Sequence, residues 1–177
     1  HREPQVEKRT KDLSAAENRY RNIFRHSGAP AVIVEQDFTV SMANPKFEEL
    51  TGFSCREIEK RMKWTDFVHP SDRKMVNRYH FARRSEEGAA PAEYECRILD
   101  RNQLVKFTFI KVGMLGETGR GITSIIDITR LKQTELELRD RETRYSAILE
   151  GYEGDVYFID RDYRIRFMNE NLIRSIG

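Results

Sequence analysis

The sequence predicts an α+β domain: a five-stranded antiparallel sheet with short helices on one face, flanked by amphipathic linker helices. Three observations lead there. The β-branched and aromatic runs fall into two groups, two short ones early and three longer ones late. Helix-start signals, Asn44-Pro45 and His69-Pro70, sit between the groups. Towards both ends, apolar residues recur at helical spacing among dense charges. The expected order is β-β-α-α-α-β-β-β, an α+β arrangement.

Each element has its own warrant. Residues 1–26 carry Val6, Leu13, Tyr20 and Ile23 at helical spacing, a linker helix. "AVIV" and "TVSMA" form a hairpin across "EQDF". Asn44 caps the helix "NPKFEELTG", Pro45 takes its first position and Gly52 ends it. "CREIEKR" and "KWTDFV" are short helical turns. Pro70 opens a longer helix, Asp72 complements its dipole, and Met75, Tyr79 and Ala82 mark its buried stripe. Three strands follow: "AEYECRIL", "LVKFTFIKVGM" and "GITSIIDIT". "DRNQ" turns the first into the second, and Gly116 and Gly119 lie in the next turn.

The last strand runs through Asp127-Ile128-Thr129 into a helix with no loop between. Thr129 is the expected N-cap of a coiled-coil-like linker helix over 130–150. Leu131, Leu138 and Tyr145 stand seven apart, and Ile148 extends the seam. Glu135–Arg139, Glu137–Arg141 and Asp140–Arg144 are i,i+4 pairs, each adding about 0.3–0.5 kcal/mol to an exposed helix. Thr134 and Arg141 interrupt the seam, so a coil built on it should be weak and easily biased.

Composition bounds the function. The chain has 177 residues, 38% of them hydrophobic and 34% charged, with a mean hydropathy of −0.70. That is room for one domain and a fraction of another. A net charge of +2 from 31 basic and 29 acidic residues gives no field to hold nucleic acid or an anionic membrane. No apolar run is long enough to cross a bilayer. Cys55 and Cys96 lie far apart in no metal spacing and read as reduced cytosolic thiols. The first residue is not Met, so we expect a piece of a longer chain, cytoplasmic here whatever membrane segments lie elsewhere.

The chain also resembles itself. "ENRYRNIF" from Glu17 aligns with "ETRYSAIL" from Glu142, an offset of 125 residues (142 minus 17) without a gap. The offset pairs Val6 with Leu131, Leu13 with Leu138, Tyr20 with Tyr145 and Ile23 with Ile148. It also pairs Asp37 with Asp162, Asn44 with Asn169 and Gly52 with Gly177. We read helix, domain (27–129), helix, and the start of a second, incomplete domain over 151–177. Such a half copy cannot bury a full core, so residues 155–177 should be loosely held or docked.

In this order the residues resemble a PAS domain with its C-terminal PAC segment. The carriers are Asn44, Phe47, Leu50 and Gly52; Phe67, His69, Pro70, Asp72 and Arg73; the Glu95/Arg97 strand; and Asp127-Ile128-Thr129. They span about Glu17 to Leu131. The half copy resembles the opening of a second PAS domain. One departure is Asn102-Gln103, where the family usually has Gly; Asn tolerates the left-handed conformation. The resemblance implies a sensory or dimerisation module of a bacterial signalling protein, of which a sensor histidine kinase is the commonest kind and a diguanylate cyclase the next. No kinase signature or P-loop accompanies it.

The resemblance also places a cavity between the inner sheet face and the helices. By alternation, Val105, Phe107 and Phe109 share one strand face, and the flavin-binding members imply that it is the inner one. Thr123 and Ile125 should join it from the last strand, with Phe47, Leu50, Trp64, Phe67, Met75 and Tyr79 from the helices. A filled core is the favoured reading and a small unknown ligand the other, so no cofactor is predicted. Flavin does not match: Cys55 lies too early, and Phe107 and Ile125 stand where amides are expected. His80, read as half-exposed on the long helix, is the haem candidate, and no other metal site is expected. Glu95 and Arg97 share a strand face, as an ion pair or a polar ligand contact. Asp66, His69 and Asp72 suggest acid–base chemistry but read as a helix start without a nucleophile.

The expected partners are a second copy, through a seam of Val6, Leu13, Tyr20, Leu131, Leu138 and Tyr145, and a downstream effector domain. Asp127 and Thr129 are the expected signal-relay residues. A ligand-free structural dimerisation module is the alternative.

Overall fold

A computed structural model describes residues 3–85 and 89–177, with side chains from residue 11 onward except Glu117. Val6, in the expected seam, has its side chain outside the described residues. The chain divides into two compact units, the first ending at Thr129 and the second spanning Arg130–Gly177.

In the first unit α1 (Glu3–Arg25) leads into β1 (Ala31–Val34) and β2 (Val40–Ala43). Four helices follow rather than three: α2 (Pro45–Thr51), α3 (Cys55–Ile58), α4 (Trp64–Phe67) and α5 (Pro70–Ser85). β3 (Glu93–Leu99), β4 (Val105–Met114) and β5 (Gly121–Asp127) complete an antiparallel sheet of order β2-β1-β5-β4-β3. β1 reaches the sheet centre because it pairs with β5 from Ala31↔Ser124 to Val34↔Gly121. Local chain covers part of each sheet edge. Val40 N donates to Met62 O (3.0 Å) beside β2, and His69 N donates to Arg97 O (2.9 Å) beside β3. Covered edges do not recruit foreign strands.

The helices start where the sequence says they should. Asn44 Oδ1 accepts Phe47 N (3.0 Å), Pro45 follows, and Gly52 ends α2 in the left-handed region at φ 76°. Ser54 and Glu57 form a capping box on α3. Sheet and helices enclose a core around Val32, Val40, Phe47, Ile58, Phe67, Val76, Ile98, Ile110 and Ile125. A smaller cluster on the outer face joins Phe24 to Ala31 and Ile33.

One expected turn differs. Gln103, not Asn102, takes the positive φ (62°), while Asp100 Oδ1 accepts both Asn102 N (2.8 Å) and Leu104 N (2.9 Å). Two bonds to one carboxylate hold a side chain that does not favour this region by itself.

The second unit holds α6 from Arg130 on (the helix runs Thr129–Glu150), a hairpin of β6 (Tyr157–Ile159) and β7 (Ile165–Met168), and α7 (Glu170–Ile176). Residues 155–177 thus form a folded β-β-α piece. It repeats the asparagine bonds that open the first unit, with one more from Asn169 Nδ2 to Tyr152 O (3.4 Å). Asn44 Oδ1 accepts Ala31 N (2.9 Å), and its Nδ2 donates to Ala29 O (2.8 Å) and Phe24 O (3.4 Å). Asn169 Oδ1 accepts Val156 N (3.1 Å), and its Nδ2 donates to Gly154 O (2.8 Å) and Leu149 O (3.3 Å). The matching partners are displaced by the same 125 positions (169 minus 44). Phe38 and Tyr163, related by that offset, both have positive φ, and both hairpins shift register at the corresponding step. The two hairpins differ in burial: Val32 and Val40 are 0% exposed, while Tyr157 and Ile165 are 58% and 57% exposed.

Candidate functional site

The expected cavity lies between α5 and the inner sheet face, but its lining is not the expected one. Along β4 the buried residues are Thr108 and Ile110, so that parity faces the helices. Val105 is 40% exposed, and Phe107 and Phe109 share its opposite face. Register agrees: Thr108 pairs with buried Cys96, and Phe107 with Arg97. Val105 and Phe109 are therefore removed from the inner face, while Phe107 borders a second space of about 230 Å³ with Met75, Asp72, Arg97, Cys96 and Thr108. Thr123 and Ile125 do face the interior, and Phe47, Leu50, Trp64 and Phe67 are buried against it. Met75 packs on the core from its edge, and Tyr79 meets Tyr94 edge-on at 5.2 Å.

α5 turns differently from the expected stripe. Val76 and His80 are its buried residues, while Met75, Tyr79 and Ala82 are only partly covered. His80, expected to be half-exposed, is 6% exposed. Its Nε2–H donates to Gln36 O (2.8 Å), and its ring stacks on Phe38 with centroids 3.8 Å apart. Burial first, then the charges of Arg84 and Arg83, push its pKa down to about 4. His80 is thus a neutral core residue that pins the β1–β2 hairpin to α5.

The open space beside His80 is about 20 Å³, lined by Trp64, Val76, Arg83, Arg84, Tyr94 and Thr123 among others. That is room for one water-sized group. A macrocycle does not fit it, and the Nε2 a metal would use is already engaged, so His80 does not suit a haem ligand.

At β3, Asp72 takes three bonds from Arg97: from the backbone N (2.8 Å), from Nε (3.0 Å) and from Nη2 (2.6 Å). The guanidinium hydrogen bonds hold the Asp72 carboxyl below its ordinary range. Arg97 thus pairs with Asp72 across the fold.

The junction after β5 is stitched into the sheet. Ile128 N donates to Phe107 O (2.8 Å), and Phe107 N donates to Thr129 Oγ1 (3.0 Å). The expected cap works the other way round: Asp127 Oδ1 accepts Thr129 N (2.9 Å), while the Thr129 hydroxyl extends the β4–β5 ladder. Of the expected seam, Leu13, Leu131, Leu138 and Tyr145 are 71%, 65%, 57% and 64% exposed, and Tyr20 is 41% exposed.

Residues 40–111 match the family described as PAS fold. The first unit has the PAS fold. Its fold is similar to the PAS domain of an HTR-like protein from Haloarcula marismortui (17% identity, TM-score 0.53), over 69% of this chain and 99% of that one. It is also similar to a sensory box histidine kinase/response regulator from Burkholderia thailandensis E264 (20% identity, TM-score 0.53), over 72% and 97%. In sequence it is 25% identical over 127 residues to the sensor histidine kinase TmoS of Ectopseudomonas mendocina. That match covers 70% of this chain and only 13% of the kinase.

Within the first unit the remaining sequence candidates have structural tasks. Asp66 Oδ2 accepts Lys63 N (2.8 Å), and His69 Nδ1 accepts Ser71 N (3.3 Å). With Asp72 held by Arg97, the three do not converge on a reaction centre. The Cys55 thiol meets Ala43 O (3.3 Å), and burial with Glu48 raises its pKa to about 11, so it is a poor nucleophile. Phe107 lies on the opposite strand face from buried Thr108, while Ile125 is fully buried in the core. Sequence reasoning missed Arg83, Arg84 and Tyr94, which border the interior space. The alternation of Glu95/Arg97 against Cys96/Ile98 on β3 was the signal that could have found this face. No helix among the described residues is long and apolar enough to cross a membrane.

Proposed function

We propose that this PAS domain is a cytoplasmic input module of a sensor histidine kinase, relaying a ligand- or partner-induced change through Asp127 and Thr129 into α6. The observation that carries the reading is the Phe107–Thr129 bond. The first residue of α6 belongs to the sheet's hydrogen-bond ladder, so a shift of β4 against β5 has a direct path to the helix. The similarity to TmoS supports the kinase as parent. The Asn44/Asn169 correspondence supports a second PAS domain beginning after α6, with Asn169 receiving the helix at the Leu149 carbonyl. Exposed Leu131, Leu138 and Tyr145 support a homodimeric coil.

The test uses the full-length kinase. Thr129→Val removes the acceptor for Phe107 N, and Asp127→Ala removes the cap. Both should leave the domain folded by circular dichroism yet blunt signal-dependent autophosphorylation. Normal regulation in both variants would make the junction a tether. The small space beside His80 favours a second reading, a ligand-free dimerisation module, in which the same variants change dimer affinity alone.

A further inference from the structure

We propose that the interior space between α5 and the sheet binds a small monoanion, held by the guanidiniums of Arg83 and Arg84 and the hydroxyls of Tyr94 and Thr123. Such binding goes beyond the signalling role and stands or falls without it. All four residues line one space of about 20 Å³, and all carry hydrogen-bond donors.

The protein leaves these donors short of negative charge. Arg83 Nη2 donates to Pro91 O (2.5 Å). Arg84 donates to Gly119 O (2.8 Å), His80 O (2.9 Å) and Val34 O (3.4 Å). Every one of these acceptors is a neutral carbonyl. Among the described residues no carboxylate bonds to either guanidinium; Glu35 reaches Arg84 only through its field. Burial is the first cause lowering the pKa of both arginines, as expected of cations partly stripped of water without a counterion. Thr123 is 4% exposed, and with Tyr94 it brings a hydroxyl to the lining of the space. His80 adds no charge, being neutral and engaged with Gln36.

A water placed there would accept at most two bonds from this surplus of donors, and its own protons would face cations. An anion of one-atom width accepts from all of them and supplies the missing charge. Size and charge select chloride or one oxygen of a short carboxylate, two sources of the same chemistry.

Chloride-35 line broadening by the 177-residue chain, at constant ionic strength, tests this, with sodium acetate as competitor. Wild type should show saturable broadening, acetate binding, or both. Displacement of chloride by acetate would mark a carboxylate site, and broadening indifferent to acetate a halide site. Thr123→Val with Tyr94→Phe keeps the volume and removes both hydroxyls; Arg83→Gln removes one charge and leaves Arg84 to its carbonyls. Each variant, shown folded by circular dichroism, should weaken binding at least tenfold. No saturable broadening and no acetate binding in wild type, or equal binding in all the folded variants, would overturn the proposal.

Discussion

Asp72 shows how much one side chain can settle. It sits in the first turn of α5, where its charge suits the helix dipole, and it also closes the exposed edge of β3 by taking the Arg97 backbone N–H and guanidinium together. Removing it leaves an edge N–H and a cation without their partner. Asp72→Ala should therefore cost about 2–3 kcal/mol, measured by urea denaturation. The pH dependence has a definite sign. The folded carboxyl titrates below the ordinary aspartate value of 3.8, so its contribution is present above about pH 4 and is lost as pH falls below that. The stability gap between wild type and Asp72→Ala should narrow in the same range.

His80 acts in the neighbouring window. Its pKa falls from the ordinary histidine value of 6.5, which the unfolded chain keeps, to about 4 on folding. Between those values the unfolded chain binds a proton that the folded one does not. Stability is full above about pH 6.5 and falls as pH drops toward 4. His80→Gln can still donate to Gln36 O but does not titrate, so it should flatten this part of the denaturation profile. An unchanged profile would mean that His80 does not set this limb.

At the scale of elements, helix boundaries were the most legible part of the sequence, because Asn44-Pro45, Gly52 and Pro70 act on their own backbone. Strand facing was the least. β4 carries Lys106 on the inner parity and Lys111 on the outer, so charge does not say which side is wet. The long aliphatic stem of Lys106 lets its Nζ reach Leu50 O (2.7 Å), capping α2, and that hides the signal. Cross-strand pairing resolves it: Leu99↔Val105 fixes Phe107 opposite Arg97. The α5 stripe is hard to read because His80 and Arg84 look like surface residues until carbonyl partners from the hairpin and the β4–β5 turn are known. The tie between α1 and the sheet depends on Asn44. Asn44→Ala loses a cap and strands buried carbonyls and an N–H, and should cost about 2–4 kcal/mol. Hydrogen exchange should also quicken at the end of α1, around residues 22–26.

For the molecule as a whole, the 125-residue offset was legible from identities alone, and the matching Asn44 and Asn169 networks give it a structural meaning. A helix that enters each copy through the same asparagine suits a chain of modules joined by helical phase. Exposed Leu13, Leu131, Leu138 and Tyr145 should drive weak self-association, visible as concentration-dependent sedimentation of the 177-residue chain. Leu138→Glu should abolish it.

The most direct measurement changes helical phase. In the full-length protein, one residue inserted after Lys132 rotates everything downstream by roughly 100°. Seven residues nearly restore the phase of a heptad seam. With autophosphorylation as the readout, the account predicts locked or inverted output for the single insertion and largely preserved regulation for the seven. Equal output from both insertions, with regulation intact, would contradict it.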